Sequence, residues 1–297
     1  MRKIVSTFIL SMSFALAASA QALPSLLVGA DPVAAATGGS ALARSAGAYA
    51  VDNNAAAMAL SSRDFSVAAS YGMWAPSTAD NTLAGLGVFY KLNDKMAFGF
   101  TGRMLKDKPY DITSATGQVT GSFAPGDMTA GVGFSYAVAD GLSVGVAGRF
   151  TNSSIAQDMK GSAFGADITA MYSKEGLNAA LGITNLGSKI SYGGASYALP
   201  MMVRGGVAYS VAGLTASAEA DYLFSGALMA SLGVEYGIAD IAFLRAGYHY
   251  GDSAKALASY ASLGLGLQFA GVSLDLAFLT ASETLGGTLM LGIGYSF

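Results

Sequence analysis

One histidine, no cysteine and a small set of inward-spaced charges are all that this sequence offers for chemistry. The residues are Arg103, Arg149, Asp167, Arg204, Glu219, Asp221, Glu235, Arg245, His249 and Asp275. A lipase-type hydrolase needs a nucleophile beside a histidine base. His249 instead shares its face with Arg245 and reads as a polar interior residue. With one histidine and no cysteine, a metal could be held only by an all-carboxylate arrangement. No phosphate loop or nucleophile elbow occurs. Nothing here points to catalysis or to a cofactor.

The spacing of the charges has a different origin. In "GLTASAEADYLF", residues 213–224, polar or acidic residues fall at Thr215, Ser217, Glu219 and Asp221. Leu214, Ala216, Ala218, Ala220 and Tyr222 alternate with them. This is the period of a strand with two unlike faces. "TLAGLGVFYKL" repeats it, with Ala84, Leu86, Val88, Tyr90 and Leu92 against Gly85, Gly87 and Lys91. In "GLSVGVAGRFT", Leu142, Val144, Val146 and Phe150 oppose Ser143, Gly145, Ala147 and Arg149. In "DIAFLRAGYHYG", Ala242, Leu244, Ala246, Tyr248 and Tyr250 oppose Arg245, Gly247 and His249.

The pattern predicts strands at 63–74, 82–92, 95–106, 127–138, 141–152, 160–173, 176–186, 200–211, 213–224, 226–238, 240–251, 257–269, 271–281 and 286–297. That is an even number, as in single-chain bacterial outer-membrane barrels. Tight turns at "LNDK", "VADG", "SKEG", "VAGL", "GIAD" and "FAGV" follow the even-numbered strands. Most longer connections, such as 107–126 and 187–199, follow odd ones. Short periplasmic turns and longer outer loops are the rule for such barrels.

Composition agrees. The chain has 297 residues, 53% hydrophobic and only 12% charged. Beyond the N-terminus it lacks the run of about 20 apolar residues that a membrane-spanning helix needs. A net charge of −3 without a basic patch argues against nucleic acid as a partner. Met1-Arg2-Lys3, the apolar "IVSTFILSMSFALA" and the small-residue box "ASA" predict a signal peptide at 1–20. Residues 21–61, rich in Ala and Gly, lack strict alternation and read as a compact plug segment with a short helix. Residues 62–297 read as barrel.

Two features decide which face meets which solvent. Nearly all mid-strand charges lie on the small, polar face, and Met171, Met202, Met229 and Met290 are the larger apolar residues there. The large Leu, Val and Phe face could not be filled inside a lumen this wide, so it must face lipid. Tyr90, Tyr136, Tyr172, Tyr209, Tyr236, Phe269 and Tyr295 lie on the apolar face near the periplasmic strand ends. Tyr71, Phe150, Tyr222, Tyr248 and Phe278 lie near the opposite ends. These are the two aromatic girdles of a transmembrane barrel. Reflection about the turns sets Arg204 opposite Glu219 or Asp221, and Arg245 close to Glu235. Such pairs serve either as structural lumen ion pairs or as part of a binding site. Their mixed sign does not suggest a strongly ion-selective pore.

The segment "SLLVGADPVAAATGGSALARSAGAYAVDNNAAAMALSSRDFSVAASYGMWAP", followed by alternating strands, resembles the PorV/PorQ family of Bacteroidota outer-membrane proteins. The likeness covers essentially the whole mature chain and is most specific in "GGSALARSAGAYAVDNNAAAMALS". Relatives often carry Asn-Pro-Ala where this chain reads Asn54-Ala55-Ala56. The resemblance implies an all-β, fourteen-stranded, FadL-like antiparallel barrel with an N-terminal plug. It also implies one of two roles. A type IX secretion component would receive secreted cargo on its outer side, with the loop "KDKPYDITSATGQVTGSFAPG" as docking surface, and pass it to a surface-attachment complex. A FadL-like transporter would carry a hydrophobic ligand through the lumen. The terminal "LMLGIGYSF" resembles the signal read by the barrel-assembly machinery. The remaining expected partner is outer-membrane lipid.

Overall fold

The computed structural model describes residues 21–252 and 255–297; the expected signal peptide lies outside the described residues. The strands are β1 Phe65–Trp74, β2 Asn81–Asn93, β3 Met96–Lys106, β4 Tyr110–Thr113, β5 Val119–Phe123 and β6 Gly126–Ala139. They continue with β7 Leu142–Ala156, β8 Met159–Lys174, β9 Leu177–Gly187, β10 Ile190–Tyr192, β11 Ala195–Tyr197 and β12 Met202–Val211. The last are β13 Leu214–Leu223, β14 Leu228–Ile238, β15 Ala242–Gly251, β16 Tyr260–Phe269, β17 Val272–Thr280 and β18 Leu289–Ser296. All but β4, β5, β10 and β11 form one closed barrel of fourteen strands, sealed by β1 against β18. Each neighbouring pair is antiparallel, and Phe65 stacks on Phe297 at the seam with ring centroids 5.4 Å apart.

Turn chemistry sets the strand order. Glu175-Gly176, Ala212-Gly213 and Ala270-Gly271 hold positive φ at both central residues. That geometry matches the twist of the flanking strands and closes two-residue hairpins. These turns lie at the end that carries Phe65 and Phe297, which is the periplasmic rim. At the other rim, β7 and β8 run past their expected ends and meet across Gln157 and Asp158, where a longer loop was expected. Polar alternation at Asn152, Ser154, Lys160 and Ser162 continues the strands above the outer girdle. The separate hairpins β4–β5 and β10–β11 were not expected; their strands are only three to five residues long, too short for their alternation to stand out within the long connections.

The outer surface is hydrocarbon-like. Leu181 and Phe164 are each 67% exposed and Val132 is 63% exposed, while every aromatic assigned to the two girdles is exposed. Such a continuous apolar exterior suits lipid rather than water. No helix of the described residues is long and apolar enough to cross a membrane; the strands do the crossing.

The lumen holds the N-terminal segment. It starts at the outer mouth, where Ala22 N–H donates to the Ala198 carbonyl at 3.1 Å. It ends at the periplasmic rim, where Lys91 Nζ donates to the Ser61 carbonyl at 2.7 Å. Between lie two single-turn helices, Pro32–Ala36 and Ala50–Asn53, and two 3-10 turns, Pro24–Leu27 and Ala55–Leu60. Asp31 caps the first helix by accepting the Val33 N–H at 2.9 Å, and Pro32 fits its first turn. Asn54 caps the turn after it, accepting from Ala56 N–H at 3.0 Å and donating to the Leu42 carbonyl at 2.7 Å. The asparagine of the Asn-Ala-Ala step thus ties two plug turns together.

The wall receives this segment through glycine. A Cβ at Gly247 would lie 2.1 Å from Gly38 N, and one at Gly145 would lie 2.2 Å from Ala56 N. No side chain fits at that separation, so these inward positions let the plug backbone touch the wall. Alanines on the plug complete the fit: Ala36 and Ala56 are fully buried, as are Leu42 and Met58.

Candidate functional site

The lumen is where the charged residues converge, and the register brings most of them together. Arg204 pairs directly across from Asp221, and its guanidinium contacts Glu219 as well as Asp221, the latter at 3.3 Å. Arg204 Nη1 also donates to the plug carbonyl of Asn53 at 3.3 Å. Glu219 accepts the plug N–H groups of Ala41 and Leu42, each at 2.8 Å. The wall carboxylate thus satisfies two plug amides that the short turns leave without partners.

A second cluster centres on Arg149, which pairs with Asp167 and lies 3.4 Å from Asp52 of the plug. Arg149 also donates to the plug carbonyls of Val51 and Asp52 at 3.3 and 3.2 Å. Asp167 sits where the β8–β9 ladder skips a residue, and it accepts the Asn185 N–H at 2.8 Å. Asn185 takes φ 58° there, a left-handed conformation that asparagine tolerates. In the third cluster Arg245 donates to Glu235 at 2.5 Å and to Asp275 at 2.7 Å. Arg44 of the plug reaches the same Glu235 at 3.1 Å.

Two of the sequence-derived residues join no ion pair among the described residues. Arg103 faces Gly85 and Thr129 across its two ladders and donates to the plug carbonyl of Val28 at 2.7 Å. His249 is buried, with Nδ1 3.0 Å from Ser231 Oγ and its ring stacked on Tyr260 at 5.0 Å. Ser231 is itself buried, and both residues line a small cavity under the outer mouth. In the plug itself, burial pushes the Tyr49 phenol above its ordinary range, so it serves as a neutral packing group.

Several lumen residues escaped the sequence reading. Phe89 is fully buried on the inward face, in step with Gly87 and Lys91. Strict alternation would have found it. Ser25 donates to Asp127 at 2.5 Å and Asn53 donates to Asp31 at 2.7 Å. No periodic signal marks those plug residues.

The plug leaves two spaces. An upper cavity of about 110 Å³ lies under the outer mouth, with Trp74, Met202, Met229, Leu257 and Tyr260 above Asp31, Asn53 and Arg204. A vestibule of about 540 Å³ occupies the periplasmic half, lined by Arg44, Glu235, Arg245, Gln268 and Asp275. Its lining mixes polar and apolar side chains; Arg44, Arg245, Glu235 and Asp275 are ion-paired there, and Arg63 donates to Gln268 at 3.3 Å.

With this geometry in place, residues 15–212, more than half of the chain, match the family described as type IX secretion system protein PorV. The chain belongs to the PorV family. This PorV-family barrel is an outer-membrane protein. No curated protein matches it. Its fold is similar to the toluene transporter TbuX of Ralstonia pickettii at 12% identity, TM-score 0.64, covering 91% of this chain and 98% of that one. The Pseudomonas putida toluene transporter TodX is similar at 15% identity with the same TM-score, 0.64, and the same coverage, 91% and 98%. A Pseudomonas aeruginosa FadL homologue matches at 14% identity and TM-score 0.59, covering 91% of this chain and 96% of that one. These likenesses establish a FadL-like barrel and nothing about ligand.

Outside the lumen, the PorV-family barrel presents its hairpin β4–β5 at the outer rim. Tyr110 packs edge-on against Phe123 at 5.7 Å, while Tyr110 and Val119 remain 44% and 62% exposed. An exposed ion pair between Lys108 and Asp80 flanks its base.

Proposed function

We propose that this barrel is a non-catalytic type IX secretion component, a carrier or scaffold that receives secreted protein on its outer side. The observation that supports this reading is the occupied lumen. Glycine-tight contacts and three plug-to-wall charge clusters hold the plug in place, and the upper cavity of about 110 Å³ leaves little room for a hydrophobic small molecule. The outer hairpin and its neighbouring loops then form the working surface, and cargo passes from them to surface-attachment machinery. The barrel-assembly machinery reads the C-terminal strand β18, whose terminal Phe297 closes the seam.

Affinity isolation from native outer membranes tests this. Recovery of secreted or attachment proteins with the intact chain, and their loss when residues 109–124 are replaced by a short Gly-Ser turn, is the expected result. Equal recovery from both chains would remove the hairpin from the account, and recovery from neither would remove the carrier role.

A second reading is uptake of a hydrophobic small molecule, as the names of the toluene transporters suggest for those proteins. The apolar side chains over the upper cavity, Trp74, Met202, Met229 and Leu257, favour it, and at about 110 Å³ that cavity would have to widen to admit a benzene-sized guest. Mass spectrometry of organic extracts from the purified barrel separates the two: a stoichiometric lumen hydrophobe without protein partners would favour uptake.

A further inference from the structure

The two lumen spaces approach each other closely. Asp31, Ala41 and Asn53 line both the upper cavity and the periplasmic vestibule. The partition at that level is therefore side chain deep, in contrast to the backbone-tight contacts elsewhere around the plug. Its side chain to side chain link is one hydrogen bond, from Asn53 Nδ2 to Asp31 Oδ2 at 2.7 Å, while the Asn53 carbonyl and the Ala41 N–H are held by Arg204 and Glu219 of the wall. Asp31 keeps its other oxygen on the helix cap, accepting Val33 N–H at 2.9 Å. Asn53 keeps its backbone in the Ala50–Asn53 helix, with its N–H on the Tyr49 carbonyl at 3.0 Å. The side chain of Asn53 can thus leave Asp31 without unmaking either turn.

From this juxtaposition we infer that the Asp31–Asn53 contact is the latch of a narrow aqueous passage, running beside the plug rather than requiring its expulsion. The passage joins the upper cavity to the vestibule, and its solutes are water and small polar molecules or ions. The upper cavity limits their size, because about 110 Å³ is smaller than the ~150 Å³ that takes up benzene in an engineered apolar core. Along the vestibule Arg44 and Arg245 pair with Glu235 and Arg245 with Asp275, and the remaining Arg63 and Asp31 are of opposite sign, so no strong preference for one sign of ion is expected. This goes beyond the carrier reading and does not depend on it: cargo can dock at the outer rim whether or not the latch opens.

Planar-bilayer conductance of the mature barrel in potassium chloride tests the inference. The wild-type chain should stay closed or show brief small openings. Asn53→Ala should raise the open fraction at least tenfold while leaving the folded, heat-modifiable band intact. Adding Ala41→Phe to Asn53→Ala should return the trace to the wild-type level by refilling the partition. Asp31→Ser, which keeps a capping oxygen but shortens the reach, should open the passage like Asn53→Ala. A wild-type barrel that conducts steadily, or an Asn53→Ala barrel that assembles and remains as closed as wild type, would overturn the inference.

Discussion

Gly145 and Gly148 stand on the same strand, and nothing in their residue type separates them. A side chain at Gly145 would meet Ala56 N at 2.2 Å, whereas one at Gly148 would meet nothing within 4 Å. The first faces the plug and the second faces lipid. The difference teaches that the two faces of the wall obey different packing rules. Inside, solid is packed against solid and shape is fixed to a fraction of an ångström. Outside, fluid hydrocarbon accepts any apolar outline but rejects charge.

The largest expected effects come from exchanging the charge rules. Arg204→Met should cost about 3–5 kcal/mol, because Glu219 and Asp221 would remain buried without their cation. The mirror change, Leu232→Arg at mid-height on the 60% exposed outer face, should cost about 2–4 kcal/mol. Urea unfolding of the reconstituted barrels measures both. If the arginine were tolerated at 232 and dispensable at 204, the facing assigned to the wall would be inverted.

Shape comes next. Gly145→Leu should expose residues 21–61 to added protease several-fold faster than in wild type, while Gly148→Leu leaves the cleavage pattern unchanged. Matching patterns from the two variants would erase the distinction between the faces. The smallest effect belongs to the rim. Lys174→Ala removes a 3.9 Å contact to Asp140 in water, where exposed pairs contribute roughly 0–1 kcal/mol. No shift in the unfolding midpoint is expected there.

How much of this was legible in the sequence follows from the same contrast. Hydrocarbon imposes a period of two on every strand, so all fourteen wall strands and their facing could be read from residue type. Reflection about the turns also placed Arg204 near Glu219 and Asp221, and Arg245 near Glu235, since register follows from turn position. The plug was visible only as a region lacking alternation. Its contacts are backbone groups, such as the Ala41 and Leu42 N–H groups on Glu219, and backbone carries no sequence signature. Asp52 and Asn53 could not be tied to Arg149 and Asp31 because irregular turns have no register to reflect. Hairpins β4–β5 and β10–β11 were missed for another reason: their strands alternate, but over three to five residues a period of two is too brief to be told from a loop.

The plug seated against the wall is the central claim, and a disulfide tests it most directly. The chain has no native cysteine, and a Cβ at Gly206 would lie 3.5 Å from the Ala43 Cβ, within the range a disulfide spans. Ala43→Cys with Gly206→Cys should cross-link on mild oxidation in native outer membranes, giving a mobility change that reductant reverses. Ala43→Cys with Gly148→Cys should not. An assembled, heat-modifiable barrel in which the first pair stays reduced would contradict the account.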